Sequence, residues 1–335
     1  DRLRRDRLRR RRTAHRLRRL SRVARRRLLI VTGKGGVGKT SVTAAIAIAA
    51  ARGGAKVLAC EMDGSGRLAA SLGSPPVGFE PSTIALDDTI AVDAMSMDTE
   101  RALREYVRLF VKIPFADRVG SLARIFDYVA DAAPGVREIL AIGKVCHEVR
   151  RDNYDLVVVD AESTGHVVSQ IDAPRAMSEF VHSGVIAEQT GWMSEILEDA
   201  ERTGVVVVTV AEGLPVSETG ELIDTITGRT GVSVASVIVN RVPEAGLDRD
   251  SVKALTSARD RGIPSAAAVL AAAERADRAS GVLGDLLGVA GDGVAGAVLP
   301  EIDFADDEAM IAVGLAEQVE ALVAHLTNDA GGADE

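Results

Sequence analysis

Aromatic residues are scarce in this chain, at 3% of 335 positions, and cysteine scarcer still, at two. A core must therefore be assembled from Val, Ile, Leu and Ala. Cys60 and Cys146 stand far apart, without a CxxC pair or a His-containing cluster at metal-ligand spacing. That argues against a disulfide scaffold and a zinc site, and in favour of a reducing cytoplasm. Both thiols read as small buried hydrophobes. Long apolar runs are missing too: none approaches the ~20 residues that cross a bilayer. The best candidate, "VTAAIAIAAA", ends at Arg52-Gly53-Gly54 and reads as a buried helix. No apolar stretch follows the basic start, so there is no secretory-leader pattern.

Charge is unevenly placed. The net is −9, yet residues 1–27 hold fifteen Arg and two Asp, a net of +13 against −22 in the remainder. Such an arm can meet nucleic acid, an anionic membrane or the acidic body, or remain a solvated tail. It carries no aromatic residue on which bases could stack.

Apolar runs predict strands at 28–32, 56–60, 90–95, 155–160, 205–210, 235–240 and 296–299. They are Val-rich rather than alternating, which suits a parallel sheet covered on both faces. Helical patterns lie between most of them, so the fold class is α/β with right-handed crossovers. We expect a basic arm at 1–27, one domain over 28–327, and a disordered tail at 328–335. Within the domain, helical insertions are predicted at about 99–150 and 165–200, the second with Pro174 near its start.

Residues 33–40 read "GKGGVGKT" directly after the first predicted strand. Gly33, Gly38, Lys39 and Thr40 match the phosphate-binding pattern G-x-x-x-x-G-K-[ST], in the strand–loop–helix context it needs. Consecutive backbone N–H groups must approach phosphate oxygens closely, and side chains would block them; glycine does not. The helix starting near Ser41 adds the positive end of its dipole. Lys39 brings charge to the β/γ-phosphates, and the Thr40 hydroxyl is placed to ligate Mg²⁺. Gly33, Lys34, Gly35, Gly36, Val37, Gly38, Lys39, Thr40 and Ser41 are thus candidate nucleotide-binding residues, with ATP and Mg²⁺ as the ligands.

The second lysine, Lys34, resembles the signature of the deviant P-loop class. That class includes ParA/MinD-type partitioning ATPases, the nitrogenase iron protein, and the ArsA and tail-anchored-protein-targeting ATPases. The resemblance implies that Lys34 reaches a partner's nucleotide in a dimer closed over ATP. Further segments resemble the ArsA/tail-anchored-targeting branch, in that family's order, over roughly 28–325. "EMDGSGRLAASLG" stands where the family has an Asp-Pro-Ala-His-Ser switch. Asp63 takes the place of the family's water-orienting aspartate, which implies that it also belongs with Thr40 and Asp160 at the metal, while Gly64 to Arg67 depart from the pattern. "AMSMDTERALREY" and "PGVREILAIGKV" resemble the flanks of the family's helical subdomain. "YDLVVVDAESTGH" resembles its second metal-site segment, with Thr164, Gly165 and His166 keeping the Thr-Gly-His ending: Asp160 implies a Mg²⁺ carboxylate and Gly165 an N–H to the γ-phosphate. "VVVVTVAEGLPVSETGELI" resembles a following strand and E-x-L-(x)₃-E-T-x-x-L helix. "SVIVNRV" implies that Asn240, with Arg241, reads the adenine, and "AVLPEIDF" that Pro300 and Glu301 cover the base.

The resemblance implies a Mg²⁺-dependent ATPase in which Lys34, Lys39 and Asp63 act in catalysis. It implies a homodimer or paralogous heterodimer and a hydrophobic-helix client or membrane-protein partner. The expected location is the cytoplasm, at most peripheral to a membrane. Zinc and metalloid sites are not expected, because only Cys60 and Cys146 are available. Apolar residues at 107–130 and at 177–197 (Met177, Phe180, Val181, Ile186, Trp192, Met193, Ile196, Leu197) line either a client groove or the domain's own core. Two other readings stay open: a ParA/MinD-type positioning ATPase using the basic arm, and a nucleotide-binding scaffold with negligible turnover.

Overall fold

A computed structural model describes residues 26–106, 135–243, 247–302 and 307–328. Its centre is β1 (Leu28–Thr32), a strand buried on both faces. Beside it run β5 (Leu156–Asp160) and β6 (Thr203–Val210), both parallel to it. Outward on one side come β2 (Val57–Glu61), β4 (Ala91–Ser96) and β3 (Ser82–Ala85); on the other, β7 (Val234–Val242) and β8 (Ala295–Pro300). The sheet is parallel except for β3, which pairs antiparallel with β4 at the edge. No strand was predicted there. β3 has only four residues, follows Pro81 and buries only Ile84, so it lacks the apolar run that marks the others.

Strand residues alternate between two cores. Leu28, Ile30, Leu58 and Cys60 face one side, and Leu29, Val31, Val57 and Ala59 the other. The second core holds α1 (Lys39–Arg52), every residue of which from Val42 to Ala51 is buried. A helix apolar all round needs cover all round, and α10 (Glu308–Asn328) supplies it. Ala312, Leu315, Ala316, Val319, Leu322, Val323 and Leu326 form its buried side, and α10 packs along α1. The segment Glu308–Thr327 is, by length and composition, apolar enough to cross a membrane, contrary to the expectation that no run approaches that length. Here its apolar side is core.

The first core is covered by helices that include α4 (Val136–Arg150), α5 (Thr164–Phe180), α6 (Val185–Leu197) and α7 (Gly213–Arg229). α2 (Arg67–Ser71) follows β2, and α3 (Thr99–Tyr106) follows β4 and packs on α4. Pro174 lies inside α5 without ending it. Met193, Ile196 and Leu197 belong to the core, and Trp192 packs against it half-buried. Residues 107–130 fall outside the described residues. α8 (Arg249–Asp260) and α9 (Pro264–Ala290) follow β7, and α9 also covers β8.

Register fixes the position of the site. Val31 is level with Asp160, Asp160 with Glu61, and Glu61 with Ser96. The carboxyl ends of four strands therefore make one ledge. The chain leaves β1 toward β2 on one side and β5 toward β6 on the other, so neighbouring strands send their connections in opposite directions. A crevice opens at such a switch point.

Candidate functional site

Loop 33–38 closes over the end of β1, and two of its glycines are dictated by neighbours. A Cβ on Gly33 would stand 2.1 Å from the Val208 carbonyl oxygen, and one on Gly38 2.4 Å from Asn240 Nδ2. Gly35 and Gly36 are different. Nothing lies within 4 Å of the Cβ each lacks, and both border an open cleft of about 530 Å³. Their bareness faces the cleft, not the protein. α1 begins here with no side-chain cap and no acidic residue in its first turn. Its free N–H groups and positive dipole end are left for an anion.

Lys39, Thr40, Ser41, Asp63, Asp160 and Arg241 border the same cleft. Thr40 Oγ1 donates to Asp160 Oδ2 at 2.7 Å. Asp160 is only 7% exposed. Burial pushes its carboxyl up to about 6, against the pull of the Thr40 hydroxyl and the Lys39 charge. A buried carboxyl whose ionisation is opposed by burial is a site short of positive charge. Lys39 Nζ donates to the Lys34 carbonyl at 3.3 Å. Burial pulls its pKa below that of an ordinary lysine, only partly offset by Asp160.

No group of three or more His, Cys, Asp or Glu among the described residues is arranged to hold a metal. Thr40 and Asp160 are nevertheless a suitable oxygen pair for Mg²⁺, a cation that takes one or two protein ligands and completes its shell with phosphate oxygens and water. Cys60 and Cys146 are buried, and burial raises each thiol to about 12.

Asp63 accepts from the Ser65 N–H at 3.0 Å and from the Arg67 guanidinium at 3.2 Å. Partial burial is the largest single influence on its carboxyl and raises it. The Ser65 and Arg67 contacts together outweigh burial and hold it below the ordinary value. Behind it lies Glu61, 2% exposed. Its carboxylate accepts from Ser65 Oγ, the Gly66 N–H, the Leu68 N–H and Ser96 Oγ at 2.8–3.1 Å.

Other predicted residues lie at or behind the cleft wall. Asn240 is buried, and its Nδ2 donates to the Val37 carbonyl at 2.9 Å; in this structure the amide braces the loop from behind. Gly33 and Val37 sit in the buried wall. Gly165 lies in the first turn of α5, between the cleft residues Ser163 and His166. His166 is exposed, with Nδ1 3.6 Å from Glu162 Oε2. Pro300 ends β8 opposite Val242, and the Glu301 N–H donates to the Val242 carbonyl; neither is among the residues bordering the cleft. Lys34 also stands aside, paired with Glu218 of α7 at 2.7 and 2.8 Å. Sequence reasoning missed Glu61 and Arg67, and also Glu162, Ser163 and Glu308, which border the cleft. The departure at 64–67 was the one available signal for Arg67.

Comparison with known proteins agrees with this geometry. The family described as anion-transporting ATPase matches residues 26–189 and 184–260. The ATPase BagA of Mycobacterium tuberculosis is 34% identical over 254 residues, covering 70% of this chain and 74% of that protein. A putative arsenical pump-driving ATPase of Halobacterium salinarum is 27% identical, over 64% of this chain and 35% of its own length. ATPase GET3 of Malassezia globosa is 25% identical, over 63% and 71%. A loop whose bare glycines face an open cleft, a lysine and threonine at the start of α1, and a carboxylate at the end of β5 are what such an enzyme requires, and the chain belongs to the anion-transporting ATPase (ArsA) family and is an ATP hydrolase.

Proposed function

We propose that this ATPase works as a dimer, of two identical or two paralogous chains, that closes over Mg-ATP and couples hydrolysis to binding and release of a hydrophobic-helix client or membrane-protein partner. Lys34 carries the reading. Its ammonium does not border its own cleft, and 37% of its side chain remains exposed beside Glu218. A lysine placed in the phosphate loop but turned to the outer side is available to a second copy.

Within one cleft, the N–H groups of 35–40 and Lys39 hold the phosphates. Thr40 and Asp160 hold Mg²⁺, which supplies positive charge at the phosphate oxygens when bound. Asp63 orients the attacking water. Gly165 supplies an N–H toward the γ-phosphate, and Asn240 and Arg241, with Pro300 and Glu301 beyond them, flank the base. The protein acts in the cytoplasm, and the arginines of residues 1–27 are the charge that an anionic surface would attract.

Light scattering tests the dimer. Asp63→Asn with Mg-ATP should double in mass relative to the nucleotide-free protein, and Lys34→Ala should abolish that shift while still binding Mg-ADP. A Lys34→Ala protein that dimerises and hydrolyses ATP like wild type refutes the reading. Stalled Asp63→Asn dimers should also retain the client.

A further inference from the structure

We propose that Arg67 is a built-in transition-state ligand: it leaves Asp63 for the γ-phosphate when a triphosphate enters the cleft, and so frees Asp63 for the attacking water. The inference rests on the reading of this cleft as the nucleotide site.

Three observations converge. The first is a fixed base beneath an exposed side chain. Glu61, buried, binds the N–H groups of Gly66 and Leu68 and the hydroxyl of Ser65. Gly64 and Gly66 take the left-handed turns, at φ 66° and 78°, that bring those donors round. The backbone at Arg67 is thereby clamped, while its side chain is 64% exposed. With the backbone clamped, the move from Asp63 to a phosphate oxygen is confined to the torsions of the Arg67 side chain.

The second is its position. Arg67 borders the same cleft as Lys39, Thr40 and Asp160, and its charge is felt at the Lys39 ammonium. Two cations forced to share a cleft are stabilised by a polyanion between them. The third is its present partner. Its guanidinium holds Asp63 Oδ2 at 3.2 Å, and its Nε reaches Ser65 Oγ at 3.1 Å. As long as that pair persists, Ser65 and Arg67 occupy one acceptor site on each Asp63 oxygen, and the departure of Arg67 opens one of them to the attacking water. An exposed pair of this kind is weak, and a phosphate oxygen with its fuller charge and fork-matching geometry is the better acceptor.

The step then balances. The water oxygen bonds to the γ-phosphorus as the bond to the bridging oxygen breaks. The bonding electron pair leaves on ADP, and the water's proton ends on the released phosphate. Arg67 donates to the transferring oxygens, and Asp63 accepts from the water.

The test uses the full chain with Arg67→Ala and Arg67→Lys, and Lys39→Ala as control. Arg67→Ala should lose kcat by on the order of 100-fold, with KM for ATP rising about fivefold. Its affinity for Mg-ADP by calorimetry should stay within about twofold, while the preference for a non-hydrolysable triphosphate over Mg-ADP should shrink by at least about fivefold. Arg67→Lys should recover part of the rate, as should millimolar guanidinium added to Arg67→Ala. An Arg67→Ala kcat within twofold of wild type, or above it, overturns the proposal. So does an equal loss of affinity for diphosphate and triphosphate. A wild type no faster than Lys39→Ala would instead overturn the reading of the cleft, and this role with it.

Discussion

Replacing Asp160 by Asn should make the nucleotide-free protein more stable, and more so as pH rises. The carboxyl is buried at the end of β5 and holds its proton up to about pH 6, against 3.8 for the exposed group. Between those values the folded state binds more protons than the unfolded state, so stability falls as pH climbs through the window. A separation of about two units corresponds to ~3 kcal/mol once both states are ionised. Integrated over the titration, Asp160→Asn should gain ~1 kcal/mol at pH 4.5 and ~3 kcal/mol at pH 7.5. Asn keeps an oxygen for the Thr40 hydroxyl, so the 2.7 Å hydrogen bond need not be lost.

For a domain of this size those figures correspond to melting-temperature gains of roughly 2 °C and 5 °C. Differential scanning fluorimetry across pH reads both. Adding Mg-ADP at pH 7.5 should then raise wild type more than the variant, since only wild type offers the cation the carboxylate beside Thr40. A gain independent of pH, or a loss at pH 7.5, would show that the Asp160 charge is not a cost in the empty cleft. The account of the site as short of positive charge would go with it.

Gly33→Ala should disrupt the loop, because its Cβ would meet the Val208 carbonyl at 2.1 Å; Mg-ADP binding should be lost in calorimetry and stability should fall by ~3 kcal/mol or more. Gly35→Ala, with open space around its Cβ, should melt within about 1 °C of wild type yet weaken Mg-ADP binding. Lys144→Met should cost ~3–5 kcal/mol in urea unfolding, because Lys144 Nζ is the buried partner of Glu105 at 2.8 Å and Glu148 at 2.9 Å. Asn240→Ala should cost ~1–2 kcal/mol by leaving the Val37 carbonyl without its donor, and nucleotide affinity should fall with the loosened loop.

The central strands were legible because burial on both faces demands continuous apolar runs, and Val supplied them to within three residues at each end. β3 was not, since an edge strand needs only one buried side chain, Ile84. The phosphate loop was legible for a stronger reason. Close backbone approach admits one residue type, and the clash distances at Gly33 and Gly38 show why two of its positions are fixed. Asn240 shows the limit of such reading. An amide at a strand end announces a polar role, but nothing local reveals that it bonds a carbonyl 203 positions away. Glu61 was hidden by its neighbour, because "EMD" draws attention to the exposed Asp63 and not to the acid two residues earlier. What gives Glu61 its role is three-dimensional: two strand ends in register and a turn wrapped round one carboxylate.

The cleft also shows that net charge is not how this protein holds phosphate. Lys39, Arg67 and Arg241 border it, but so do Asp63, Asp160, Glu162 and Glu308. The chain beyond residue 27 carries −22, so outside the basic arm the long-range field repels a triphosphate. Attraction must come from groups acting at hydrogen-bond range: the unpaired N–H groups at the start of α1, the Lys39 ammonium and a bridging dication. That division favours selectivity. A broadly cationic cleft takes any polyanion, and its grip fades once the ~8 Å screening length of physiological salt intervenes. Donors fixed on a clamped loop accept only an anion that fits between Gly35, Thr40 and the Asp160 carboxylate, and a carboxylate there makes the accompanying cation part of the fit.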